Sequence, residues 1–345
     1  LEGLFMENIK NILLSLSKAV GTSGQEESAA KESMRLLQKY MPAEIDVLGN
    51  VIGKKDGFGG GILLDAHLDT IGLVVTSVHK NGFLHVDKCG GADIRTLCAH
   101  DVVVHGKKDI YGVVTSTPPH LMKDAGKKAP EFCDIMIDTG IDGDKIFELV
   151  SPGDRVTFKT PYREMQNDIL GGAYFDNRAG ICTVLRTLDI LKEKNYGGKI
   201  DVLFSSREEV GGSGASAAGF NSSAKECICF DVSFAKTAAT PKSVTAEQGK
   251  GVMIGFSPIL DCSMCRELES IAKDNGIDFQ YEIMADSTGT NADHIAVSAG
   301  GKKTALLSLP IKNMHTGAET VSLKDIESAA RLTAEYILSG GESND

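Results

Sequence analysis

Beyond Asp168 the chain alternates amphipathic helices with short apolar strands, and this rhythm restricts its fold more than any other feature. Ile181, Val184, Leu185, Leu188 and Leu191 fall on one face of a 3.6-residue spiral, and the apolar run 201–205 follows. Strand patterns near 227–230, 252–256, 279–283 and 304–308 then alternate with helical patterns near 262–274, 292–299 and 323–338. Such alternation predicts an α/β domain with a mainly parallel sheet flanked by helices on both faces. The N-terminal part reads as a helix at 7–20 and a second helix running to about 40 from a Ser23-x-x-Glu26 capping box. Runs at 45–54 and 61–66 flank a glycine-rich turn at 56–60 and are expected to pair as neighbouring strands.

Between 71 and 163 the texture changes to short β-like runs broken by Gly, Asn and Pro, with a hairpin signal at Asn81-Gly82. A β-rich barrel or sandwich inserted into the α/β domain is the expectation, which assigns residues 1–70 and 164–345 to one unit and 71–163 to the insert. A chain of 345 residues with 42% hydrophobic content has enough material for both cores.

Forty-seven acidic against 36 basic residues give a net charge of -11, which opposes phosphate backbones and anionic membranes, so neither nucleic acid nor a membrane is an expected partner. The apolar runs are strand-length, and residues 1–5 lack the layout of a secretory signal, pointing to the cytoplasm. Leu1 is not a translation start, leaving Met6 as the candidate native one. The eight cysteines show no disulfide-framework spacing, and Cys262-x-x-Cys265 has no matching thiolate pair, because Cys227 and Cys229 lie in a strand expected to bury alternate residues. Most are read as core residues.

Open parallel sheets present functional groups at the carboxyl ends of their strands. In Asp65-Ala66-His67-Leu68-Asp69, His67 is a candidate metal ligand with Asp69 receiving its other N–H, although a surface histidine beside acids is the plainer reading. Asp176, ahead of a long helix, is a ligand or an N-cap. Glu208 and Glu209 follow the strand 201–205, and adjacent carboxylates point different ways, so one ligates while the other faces a reacting water. Asp231 ends another strand, and His315 sits in a loop after one. Each is weak alone. Together they supply two histidines and three carboxylates, enough for two divalent ions sharing one bridging carboxylate.

With these motifs, and with the insert segments 112–120 and 135–140, the chain resembles the M42 glutamyl aminopeptidase family of dinuclear metalloaminopeptidases, which includes the self-assembling tetrahedral aminopeptidases. The resemblance covers nearly the whole chain and implies a zinc-peptidase-like catalytic domain. It further implies that Asp176 bridges two ions, that Glu209 and His315 complete one site, and that His67 and Asp231 complete the other. Glu208 is then the catalytic base, with Asp69 as its catalytic-site companion and a cis peptide at Asp176-Asn177. Implied substrates are short peptides with a free N-terminus; implied partners are copies of itself, as a homo-oligomer and often a dodecamer built through the β-domain. Zinc fits the N/O ligands, with cobalt or manganese close behind.

Thr70 and Asn291 stand where the family commonly places acids, with Asp293 the candidate to compensate for the second. An M20-type deacylase or carboxypeptidase shares the H-x-D and Glu-Glu elements. The separation of 109 positions from His67 to Asp176, room for the insert, favours the M42 pattern. A non-catalytic peptide-binding or assembly protein is opposed by the intact ligands and Glu208.

Overall fold

The structure, a computed structural model, describes residues 2–121, 129–241 and 243–340. At its centre is an eight-stranded sheet ordered Ala43–Ile45, Val51–Lys55, Gly198–Ser205, Phe58–His67, Glu226–Phe234, Lys303–Ile311, Val252–Phe256 and Phe279–Ile283. The strands from Gly198–Ser205 through Lys303–Ile311 are parallel, and antiparallel pairs occur only toward the edges. Residues 62–67, 200–205 and 227–232 are buried without alternation, as strands covered on both faces require. Cys227 and Cys229 are buried on one face as expected, but Ile228 between them is buried too, contrary to the expected alternation; Cys182 and Cys265 are also buried, and Cys133 and Cys262 are exposed.

The helix Phe175–Glu193 packs on the strands Phe58–His67 and Glu226–Phe234 and against the helices Glu2–Lys18 and Leu323–Leu338. The short helix Asn291–Ile295 packs on the same two strands and on Lys303–Ile311. Among the described residues, no helix is long and apolar enough to cross a membrane.

Two local expectations fail. The strands Val51–Lys55 and Phe58–His67 are not neighbours, because Gly198–Ser205 lies between them, antiparallel to the first and parallel to the second. Val51–Lys55 is only half buried, whereas 200–205 is wholly buried, so the arrangement keeps the partly exposed strand out of the doubly covered centre. Gly57 makes the crossing possible, since a Cβ there would lie 2.3 Å from the carbonyl of Gly197. The capping box does not form either. The helix Glu27–Leu37 starts without a side-chain cap; Glu26 accepts from the Gly24 N–H, and the Ser23 hydroxyl donates to Asp69 Oδ2 at 2.7 Å. A buried carboxylate outcompetes an accessible helix N–H for that hydroxyl.

The insert is a closed six-stranded barrel ordered Gly72–Val78, Phe83–Cys89, Ile135–Asp138, Asp109–Ser116, Asp101–His105 and Arg155–Phe158. Its own core contains Leu73, Leu84, Val102, Ile110, Ile137 and Val156. The helix Gly143–Leu149, too short to register as a helical period, adds Ile146 to that core. At the expected hairpin Gly82 has φ +87°, and a Cβ would lie 2.2 Å from the Ile141 carbonyl.

Leu64 is fully buried in a central strand, whereas Val47 is 98% exposed. Leu64→Ala is expected to lower the unfolding free energy by about 2–5 kcal/mol in urea denaturation, and Val47→Ala to change it by less than about 0.5 kcal/mol.

Candidate metal centre

All the polar strand ends meet along one edge of the parallel sheet. His67 closes the strand Phe58–His67, Asp231 lies in Glu226–Phe234, Glu208 and Glu209 follow Gly198–Ser205, and His315 follows Lys303–Ile311. Asp176 enters from the start of the helix Phe175–Glu193, where the Asp176-Asn177 peptide is cis.

Asp176 is the hub. Its Oδ1 lies 3.1 Å from His67 Nε2, and its Oδ2 lies 3.2 Å from His315 Nε2. On the first side Asp231 Oδ1 is 3.6 Å from the same His67 nitrogen; on the second Glu209 Oε2 is 3.5 Å from the His315 nitrogen. Ligand atoms of His67, Asp176 and Glu209 all lie within 4.8 Å of one another, a potential metal-binding cluster. The donors also fit such a group on a separate ground: Glu209 Oε1 is buried without any hydrogen-bond partner, a cost a cation removes.

Burial by itself would lower the pKa of His67, but hydrogen bonds to Asp176, Asp231 and Asp69 outweigh it and hold the imidazole well above its ordinary value. Burial would raise Asp176, but His315 and His67 draw it well below the usual carboxylate range. Burial pushes Glu208 up to about 8, opposed by His67 and helped by Asp231, Asp176 and Asp69. Glu209 is raised by burial and by Asp176. The cluster thus holds more negative charge than its imidazoles balance, the condition a divalent cation meets.

Asp69 meets the other ring nitrogen of His67, as expected, but chiefly through its backbone. His67 Nδ1 lies 3.0 Å from the Asp69 carbonyl oxygen, closer than the 3.5 Å to its carboxylate. The carboxylate instead accepts from the backbone N–H groups of Glu208 and Glu209 at 2.9 and 3.2 Å, besides the Ser23 hydroxyl. One buried residue therefore ties His67 to the turn that carries both glutamates.

Other supports went unread in the sequence. Glu319, buried, accepts from the N–H groups of Phe175, Asp176 and His315. Its only local signal is an acid four residues after His315. Asn177 donates to the Phe230 carbonyl and accepts from the Gly180 N–H. Gly91, from the barrel insert, lies against His315, where a Cβ would come within 2.3 Å of Nδ1. Asn291 Nδ2 donates to Asp65 Oδ2 at 3.0 Å and Ser205 Oγ at 2.7 Å. Asp293 does not compensate for it; its carboxylate accepts from Thr288 and Gly289 in the preceding turn. Thr70 is buried, with its N–H on the Gly21 carbonyl.

The histidines' raised pKa values give a signed expectation. In ion-free protein their pairing with carboxylates stabilises the fold fully below the ordinary value of 6.5 and is lost as pH rises through the raised values. Metal binding needs neutral imidazoles and ionised carboxylates, so it strengthens with pH. The rise in Tm that Zn²⁺, Co²⁺ or Mn²⁺ gives chelator-stripped protein is therefore expected to grow between about pH 6 and pH 8. A rise that is flat or shrinking across that range would contradict this reading.

Residues 49–332 match the family model described as M42 glutamyl aminopeptidase. The chain is 29% identical over 331 residues to a lysyl aminopeptidase of Pyrococcus furiosus, covering 93% of this chain and 94% of that protein. Among solved structures, aminopeptidase APDkam598 from the archaeon Desulfurococcus kamchatkensis is similar at a TM-score of 0.91 and 27% identity, over 97% of this chain and 96% of that one. The Pyrococcus horikoshii TET1 peptidase, described as able to assemble into a tetrahedron or a large octahedral shell, gives 0.83 and 30%, over 95% and 98%. The family match spans both the strand-end cluster and the barrel, and the chain belongs to the M42 glutamyl aminopeptidase family of peptidases.

Proposed function

We propose that the protein is a dinuclear metalloaminopeptidase that removes the N-terminal residue of short peptides. The observation that carries this reading is Asp176, whose two oxygens each face a different histidine at 3.1 and 3.2 Å. Asp176 would be shared by two ions, with His67 and Asp231 on one and Glu209 and His315 on the other. Zinc is the preferred ion, cobalt and manganese the alternatives. When bound, such a pair supplies Lewis acidity toward a carbonyl oxygen and a more acidic water.

This chain's own residues do the rest. Glu208 lines the same cavity, of about 570 Å³, as the ligands. It takes a proton from the attacking water and passes it to the departing amine. Asp69 positions it through the Glu208 N–H and acts on no reacting atom itself. The residues 1–70 and 164–345 form the catalytic unit, and 71–163 the insert through which copies associate, the exposed barrel residues Tyr111 and Val113 offering apolar surface for it.

Aminoacyl p-nitroanilides and their N-acetylated counterparts, assayed after reconstitution with single metals, test the activity. Hydrolysis confined to free N-termini is expected; hydrolysis of the acylated set alone would favour the M20-type reading. Glu208→Gln is expected to lower kcat by roughly 10²–10⁴-fold while two equivalents of metal remain by elemental analysis. Light scattering is expected to report a homo-oligomer, up to a dodecamer, and a monomer would refute the assembly.

A further inference from the structure

One acid of the cavity has no part in this chemistry. Glu282 lines the same space as His67, Asp176, Glu208 and His315, yet lies on Phe279–Ile283, at the far edge of the sheet. Its Oε2 is buried and has no hydrogen-bond partner. Burial raises its pKa, against the Ser233 and Ser308 hydroxyls beside it. An unpartnered carboxylate oxygen walled into a cavity is costly and marks a place where a donor from outside belongs.

The cavity wall beside Glu282 is apolar. Gly255, its partner on the neighbouring parallel strand, carries no side chain, and Leu260, Leu306 and Met284 close over it, each 3.2 Å from where a Cβ would stand. Leu306, Met284 and Met314 give the cavity that holds the ligand cluster and the acid an apolar stretch of lining. Two strands separate the strand of Glu282 from that of Asp231, which amounts to about three spacings of ~4.8 Å. An α-amino group beside the scissile carbonyl would not bridge that gap, whereas a flexible aliphatic stem with a cationic tip matches both the apolar stretch and the acid at its end.

We propose that Glu282 makes the enzyme select peptides beginning with lysine or arginine, its carboxylate receiving the side-chain cation while Leu306 and Met284 line the stem. The proposal rests on the aminopeptidase reading. Norleucine is the matched control, because it keeps the lysine stem and lacks the cation.

The test compares lysyl, arginyl, norleucyl and glutamyl p-nitroanilides with the metal-reconstituted protein. Wild-type kcat/KM for the lysyl substrate is expected to exceed that for the norleucyl one by roughly 100-fold or more, and the isosteric Glu282→Gln to bring the ratio close to one. Glu282→Lys is expected to shift preference toward the glutamyl substrate. Hydrolysis in which lysyl and norleucyl substrates are equivalent, or an equal fall for both in Glu282→Gln, overturns the inference and leaves the aminopeptidase standing. Hydrolysis of none of the four overturns both. The wild-type ratio involves no variant, so the test does not depend on a variant's folding.

Discussion

Asp176 must serve two imidazoles at once, and much of the surrounding structure is arranged so that it can. Its carboxylate is buried between His67 and His315, with Asp231 and Glu209 crowding from either side. Two unit charges of like sign at 4 Å repel by about 4 kcal/mol at the effective dielectric of a protein site. Protons on the histidines and glutamates meet part of that repulsion: the carboxylates around them push the imidazoles upward, and burial first and then Asp176 do the same to Glu209. Divalent cations meet it more fully. The parallel run of strands is what makes the crowding achievable, because their carboxyl ends share one edge and so deliver several side chains to one place.

Holding charges in an unfavourable arrangement requires support that does not itself relax, and here it comes from two further buried acids. Glu319 spans the N–H groups of Asp176 and His315, so the bridging carboxylate and one histidine are placed by a single side chain. Asp69 does the same for the turn of Glu208 and Glu209, while its carbonyl orients His67. Each satisfies backbone donors that would otherwise be lost in a dry site. The barrel closes the arrangement from outside: Gly91 leaves no gap over His315, and the Asp93 N–H donates to the His315 carbonyl. The insert is thus part of the wall of the site as well as a separate β-structure.

What could be read from the sequence was whatever is periodic or local. Helix and strand patterns at 252–256, 262–274, 279–283 and 323–338 coincide with elements of the same bounds: burial on a covered sheet gives 252–256 its continuous apolar run and the two helices their apolar faces, and 279–283 is a partly exposed edge strand. The strand-end polar residues stood out against those runs. Hidden features depend on partners far away in the chain. Ser23 resembled a helix cap because its true acceptor, Asp69, is 46 residues distant. The place of Gly198–Ser205 between two strands joined by a short turn has no local sign, and Glu319 carries none of the context that marks a ligand.

The position of Asn291 shows how a departure from a family motif is decided by its surroundings. Its amide is buried and divides its two donors between Asp65 and Ser205. An aspartate at 291 would set a second carboxylate against Asp65, whose own carboxyl burial already pushes up to about 7 even though the nearby His67 draws it down. An amide converts the same contact from repulsion to a hydrogen bond. Asp65 is two residues before His67 on one strand, so a repulsive neighbour would act on the strand end that carries a ligand. In this chain, then, Asn291 answers to Asp65, and the exchange of an acid for an amide preserves the seating of His67 while adding no charge to a site that has an excess of it.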